Sequence, residues 1–212
     1  MGRMRRHAGL AQTSTTQRTW RRDAAEGRLR EGSAVRFRRV FTERDLRAFG
    51  RLTRDYNPVH YELRFARRKG FPRRICHGML VGSMVCEPGG QWAWLASGMS
   101  FRFLRPVYVG DVVTCALTIR ELDAHGRARA EAVFTNQRGE LVMRGELTGR
   151  LPVGDDRRLL RRMLEQGDPT NPLGDGHRRS RRRGPGASVA MGVSRVRRPA
   201  RRRGTSRTSA AR

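Results

Sequence analysis

Lysine is almost missing from this chain. Of 46 basic residues among 212, only Lys69 is a lysine. Surface charge alone does not require the guanidinium fork, so this choice fits GC-rich codons better than selection at each site and weakens any step from charge to partner. Cysteine is scarce too: Cys76, Cys86 and Cys115 are an odd number without a C-x-x-C pair. Neither a disulfide framework nor a zinc knuckle is expected, and a reducing cytoplasm fits best. No window approaches ~18 consecutive apolar residues, which argues against a membrane-spanning helix. Arg3, Arg5 and Arg6 are not followed by an apolar stretch, so no secretory signal is expected; an organellar transit peptide is the lesser reading of that start.

Apolar residues make up 37% of the chain and are unevenly spread. Residues 1–32 hold eight arginines against three acids, and 155–212 seventeen against five; these surpluses of +5 and +12 leave +10 of the formal +27 for residues 33–154. The apolar patterning lies in that middle part, which is long enough to bury a single core. Three segments are therefore expected: a disordered basic extension over 1–33, a domain over 34–153, and a disordered Arg-rich tail over 154–212.

Within the domain, Val35, Phe37 and Val40 alternate with arginines as in a strand. Thr42-Glu43-Arg44-Asp45 resembles a capping box, and Leu46, Phe49 and Leu52 follow at helical spacing. That helix should stop before Pro58. A short helical piece over 62–68 should end at Gly70. Met79 to Cys86 is apolar nearly all round, the mark of a buried helix, and Pro88-Gly89-Gly90 should end it. The segments 99–108, 112–122, 127–135 and 141–151 read as strands joined by short turns, hence as antiparallel neighbours. One buried helix followed by long strands leaves little choice: the sheet must curl around the helix.

Two stretches carry chemistry. Asp55-Tyr56-Asn57-Pro58-Val59-His60 sets a carboxylate and an imidazole five residues apart on a turn that proline keeps out of a helix. Cys76-His77-Gly78-Met79 places a glycine where the buried helix begins, so its N–H lacks an intrahelical acceptor and can bind an oxygen. An acid/base pair with such a donor suits adding or removing water beside a carbonyl. The plainer alternatives are an Asx turn with a surface histidine, and for Cys76 a buried thiol rather than a nucleophile. Asp55, His60 and His77 are metal-ligand types, but their spacing matches no metal pattern, and no metal is expected.

Together these features resemble the MaoC-like dehydratases, the (R)-specific enoyl-CoA hydratases of the hot-dog fold. The matching residues are Asp55-x-Asn57-Pro58-x-His60, His77-Gly78-Met79, Phe101 to Val107 followed by Gly110-Asp111, and the Asn136-x-x-Gly139 turn. The resemblance covers residues 34 to 153. It implies an α+β hot-dog fold, an antiparallel sheet wrapped around a long central helix, with disordered Arg-rich tails. It further implies that Asp55 and His60 hold water between them as the acid/base pair, that the Gly78 N–H binds the thioester oxygen, and that Asn57, His77 and Met79 shape the substrate site. No cofactor is implied beyond the CoA or acyl-carrier thioester of the substrate, and a homodimer closes the open sheet edge. Tyr61-Glu62 stands where a hydrophobic residue and Asp or Asn are more usual, and Cys86 where many relatives have serine. If Trp92 and Trp94 line the acyl tunnel, they shape chain-length preference.

Two other functions compete. A hot-dog thioesterase would need a carboxylate on or near the central helix, for which Glu87 is the nearest candidate. A nucleic-acid-binding protein would use the arginine runs at 178–183 and 197–203.

Overall fold

The computed structural model describes residues 14–168 and 170–171. The chain begins with helix α1 (Ser14–Ala25), then strand β1 (Ala34–Val40), α2 (Glu43–Thr53), and the short helices α3 (Pro58–Tyr61) and α4 (Leu63–Arg68). A helical segment follows in three pieces: α5 (Gly78–Gly82), a 3-10 turn (Ser83–Val85) and α6 (Cys86–Gln91). Strands β2 (Leu95–Phe103), β3 (Val112–Leu122), β4 (Arg127–Thr135) and β5 (Leu141–Arg150) and helix α7 (Gly154–Glu165) complete it.

The five strands form one antiparallel sheet in the order β1-β3-β4-β5-β2. Leu80, Val81, Met84 and Val85 of the central segment share one buried cluster with Leu117, Ile119, Phe134, Met143 and Leu147 of the sheet. This is the expected hot-dog arrangement. Burying such side chains contributes about 1.5–3 kcal/mol each before chain entropy is counted. The α2 start is as expected: Thr42 and Asp45 form a reciprocal capping box. Gly70 takes a left-handed φ of 86° just after α4, where only glycine is free of strain.

Four expectations need correction. The meander holds for β3, β4 and β5, but β2 pairs with β5 instead of β3. Residues 104–111 carry the chain across, tied to the loop before α5 by the bridge between Ile75 and Tyr108. The strand itself lies at 95–103, earlier than 99–108, because Pro106 has no N–H to give a ladder. Pro88-Gly89-Gly90 does not end the helical segment. After the 3-10 turn Pro88 falls in the first turn of α6, where a missing N–H is tolerated, and the segment runs on to Gln91.

The fourth correction concerns the termini. Disorder was expected over 1–33 and 154–212, but their described parts include α1 and α7, which pack on the domain with Trp20, Ala24, Ala25 and Leu160 buried. Arg21 forms a buried ion pair with Asp168 at 2.8 Å and donates to the Gly90 carbonyl at 2.9 Å. Gln91 and Asn171 exchange two amide hydrogen bonds at 3.1 and 3.2 Å. These contacts fasten both terminal segments to the far end of the central helix. The arginine runs at 178–183 and 197–203 lie outside the described residues.

Candidate active site

The site grows from the end of α2. Arg54 adopts a left-handed φ of 60° and its N–H closes on Gly50 O, which turns the chain sharply and delivers Asp55. The Asp55 carboxylate accepts the Asn57 N–H at 3.2 Å, and the Asn57 side chain in turn accepts the Val59 N–H at 3.3 Å. Asn57 thus caps α3 with Pro58 at its first turn, a position suited to a fixed φ. This Asx turn and the capped α3 bring His60 back toward Asp55.

His60 is only 8% exposed. Its Nδ1 lies 2.9 Å from the Ile75 carbonyl, and since a carbonyl only accepts, Nδ1 carries the hydrogen. The lone pair is therefore on Nε2, which stands 4.0 Å from the Asp55 carboxylate. That gap is too long for a hydrogen bond and suits a bridging water. Burial pushes the His60 pKa down, with a smaller push from His77; the Ile75 carbonyl and Asp55 oppose it. The imidazole is thereby kept neutral, with an open acceptor facing a carboxylate.

His77, 1% exposed, precedes α5, and its Nε2 donates to the Asp55 backbone carbonyl at 3.0 Å. Its ring stacks on that of His60, with centroids 3.9 Å apart. The Tyr61 hydroxyl donates to the same Asp55 carbonyl at 3.2 Å. A methyl group at Gly50 would overlap that hydroxyl, so glycine is what allows Tyr61 to reach over α2. Gly78 occupies the first turn of α5, where backbone N–H groups lack helical acceptors. A Cβ there would lie 2.6 Å from the Phe103 ring, so the absence of a side chain lets β2 close over the helix start.

These groups share a cavity of about 510 Å³ lined by Asp55, His60, His77, Gly78 and Met79 together with apolar residues such as Phe103. Asn57 is not among its walls; it builds the turn. The sequence reading noted Tyr61 as a departure and missed its positioning bond, because its partner is a backbone carbonyl that no side-chain pattern reveals. The Ile75 carbonyl, which sets the His60 tautomer, was missed for the same reason.

Other expectations fall outside the cavity. Trp92 and Trp94 are buried in the core, 1% and 9% exposed, and do not line it. Cys86 is exposed and also not part of its wall. Glu87 is held by Arg39 at 2.9 Å, outside the cavity, which removes the carboxylate a thioesterase reading needs. Burial raises the Cys76 thiol to about 12, so it is no nucleophile at neutral pH.

Donor atoms of Asp55, His60 and His77 lie within 4.8 Å of one another, a grouping that could in principle hold a metal. His77 Nε2 already donates to Asp55 O, however, and the open donors facing each other are His60 Nε2 and the Asp55 carboxylate. Two such donors suit a water better than a three-ligand metal site.

Comparison with known proteins places the chain in a family. A MaoC like domain matches residues 25–138. The chain is 33% identical over 132 residues to the (R)-specific enoyl-CoA hydratase of Aeromonas caviae, covering 58% of this chain and 96% of that one. It is 32% identical over 139 residues to the mitochondrial 3-hydroxyacyl-[acyl-carrier-protein] dehydratase of Arabidopsis thaliana, covering 61% and 81%. The solved A. caviae (R)-hydratase superposes with a TM-score of 0.56 at 32% identity over 58% of this chain and 98% of that one. The unliganded R-hydratase of Pseudomonas aeruginosa gives 0.56 at 30% identity, over 60% and 85%. The domain match spans more than half of the chain, and the chain belongs to the MaoC-like domain family.

Proposed function

We propose that the protein is a hydro-lyase that reversibly adds water to a trans-2-enoyl thioester, giving a 3-hydroxyacyl thioester. The observation that carries this reading is the pairing of a buried His60, its Nδ1 engaged by the Ile75 carbonyl and its Nε2 facing the cavity, with the Asp55 carboxylate 4.0 Å away. A water bridging the two would donate one hydrogen to each and point its oxygen lone pair into the cavity. Attack at Cβ forms the C–O bond while Asp55 takes a proton from the water. The electron pair of the double bond moves toward the thioester carbonyl, whose developing negative charge the Gly78 N–H and the start of α5 stabilise. The proton held by Asp55 then passes to Cα on the same face, and H and OH have been added in balance. His60 stays neutral throughout and fixes the water.

CoA or an acyl-carrier protein would arrive as part of the substrate, and the reaction needs no metal or redox group. The relatives named above act on both thioester types by name. A homodimer fits the edge strand β2, where Leu95, Met99 and Phe103 are 74%, 48% and 57% exposed. An apolar edge of this kind calls for a partner.

The test is the ultraviolet absorbance of the conjugated enoyl group of crotonyl-CoA, followed together with free thiol. Loss of the band without thiol release supports hydration. Thiol release with the double bond intact would point to a thioesterase, and no change in either would overturn the reading.

A further inference from the structure

Asp55 stands on an exposed part of the chain. Every residue from Arg51 to Pro58 is exposed, so burial does not hold the carboxylate where it faces His60. Within the turn, the Asp55 N–H donates to the Thr53 hydroxyl at 3.3 Å and its carboxylate accepts the Asn57 N–H at 3.2 Å. Among the described residues, the hydrogen bonds that reach Asp55 from beyond the turn both end on its carbonyl oxygen. One comes from His77 Nε2 at 3.0 Å and the other from the Tyr61 hydroxyl at 3.2 Å.

Tyr61 reaches that oxygen through a gap in α2. Gly50 is buried near the end of the helix and is not among the glycines with a left-handed φ, so its backbone does not call for glycine. Inside a helix glycine is disfavoured against alanine. A Cβ there would overlap the Tyr61 hydroxyl and lie 3.1 Å from the ring carbon that bears it. The hydroxyl takes the place of a side chain at Gly50. It comes within 3.4 Å of His77 Nε2 as the two converge on one oxygen, and its ring stands edge-on to His60 and His77, with centroids 6.3 and 5.8 Å away.

We propose that Tyr61 is a positioning residue for Asp55, its hydroxyl admitted by Gly50 and holding the Asp55 peptide so that the carboxylate stays opposite His60 Nε2. The inference rests on the hydratase reading for the reaction it serves. Carbonyl and carboxylate leave the same Cα, so a peptide held at its oxygen keeps the side chain from swinging out to solvent. His77 reaches that oxygen from the loop before α5 and Tyr61 from α3, and two donors from separate elements fix it in direction as well as distance. Tyr61 is not in the cavity wall and acts through this peptide rather than on substrate.

The experiment measures kcat and KM for crotonyl-CoA in the wild type, Tyr61→Phe, Gly50→Ala and the double variant. A net hydrogen bond is worth about 2–10-fold, and Tyr61→Phe is expected to lower kcat by that factor with a smaller change in KM. Gly50→Ala should lower kcat at least as far, because its methyl displaces the hydroxyl, and the same change should cost less in Tyr61→Phe than in the wild type. Tyr61→Phe decides the matter should Gly50→Ala fail to fold. A second reading needs no chemistry. Asp55-Tyr56 is the one Asp-Tyr step in the chain, so with aspartate labelled in its carbonyl carbon and tyrosine in its nitrogen an HNCO spectrum holds a single signal. A carbonyl that loses a donor is less deshielded, and the signal should move to lower carbon frequency in Tyr61→Phe. Were crotonyl-CoA left unhydrated by the wild type, the hydratase reading would fail while a moved signal would still uphold the hold of Tyr61 on Asp55. A merely structural hydroxyl would lower the urea midpoint of Tyr61→Phe and leave kcat in place. That result, or a signal that does not move, would overturn the proposal.

Discussion

The imidazole of His60 lies against that of His77, centroids 3.9 Å apart and planes 33° apart, and the two rings take their hydrogen bonds from different parts of the chain. His60 donates through Nδ1 to Ile75 O, and His77 through Nε2 to Asp55 O. Each bond fixes one tautomer. The consequence is that the Asp55 turn, the loop before α5 and the start of that helix are joined through two stacked rings.

The first prediction concerns pH. Burial holds the His60 pKa below its ordinary 6.5, and protonating Nε2 would remove the acceptor that holds water. The acid limb of kcat/KM is expected below 6.5 if His60 sets it, readable from a pH–rate profile. The sign for stability is the same: a depressed imidazole pKa leaves the fold unpenalised above 6.5, and stability is lost as pH falls from there through the folded-state value. An acid limb above the ordinary histidine value would contradict the assignment.

His77 is expected to act as a positioning residue, through its bond to the Asp55 carbonyl. His77→Ala removes the hydrogen bond to Asp55 O and the ring beside His60. Misplacing a reacting group by an ångström can cost about 10²-fold, and a fall in kcat of that order is expected with a smaller change in KM. His77 also helps depress the His60 pKa, so the acid limb should move to higher pH. A purely structural role would leave that limb in place.

The terminal helices can be tested through Arg21 and Asp168, whose side chains are 10% and 5% exposed. Removing one partner of a buried pair costs about 3–5 kcal/mol, while replacing both with apolar residues is often near neutral. Arg21→Met is expected to fall in that range in urea unfolding, and Arg21→Met with Asp168→Leu to recover much of it. Stability unchanged in the single variant would mean that α1 and α7 contribute little to the domain.

Much of this was legible in the sequence for identifiable reasons. The bounds of β3 and β4 follow from alternation broken by Gly126 and Gly139, and α2 announces itself through the Thr42–Asp45 capping box. Asp55 and His60 were readable because a proline-capped turn fixes their spacing locally. The terminal helices were not, since arginine masks their apolar positions: Trp20 and Ala24 in α1 and Leu160 in α7 are few, and only the tertiary partner makes them count. The pairing of β2 with β5 is likewise non-local and leaves no periodic trace.

The central claim is that Asp55 and His60 act as one water site. The most direct measurement is kcat for crotonyl-CoA hydration in the wild type, Asp55→Asn, His60→Ala and the double variant. Groups that act as a unit are strongly non-additive, so each single change should cost on the order of 10²–10⁴-fold and the double variant little more than the worse of the two. Near-wild-type rates in either single variant, or losses that simply multiply, would contradict a shared water.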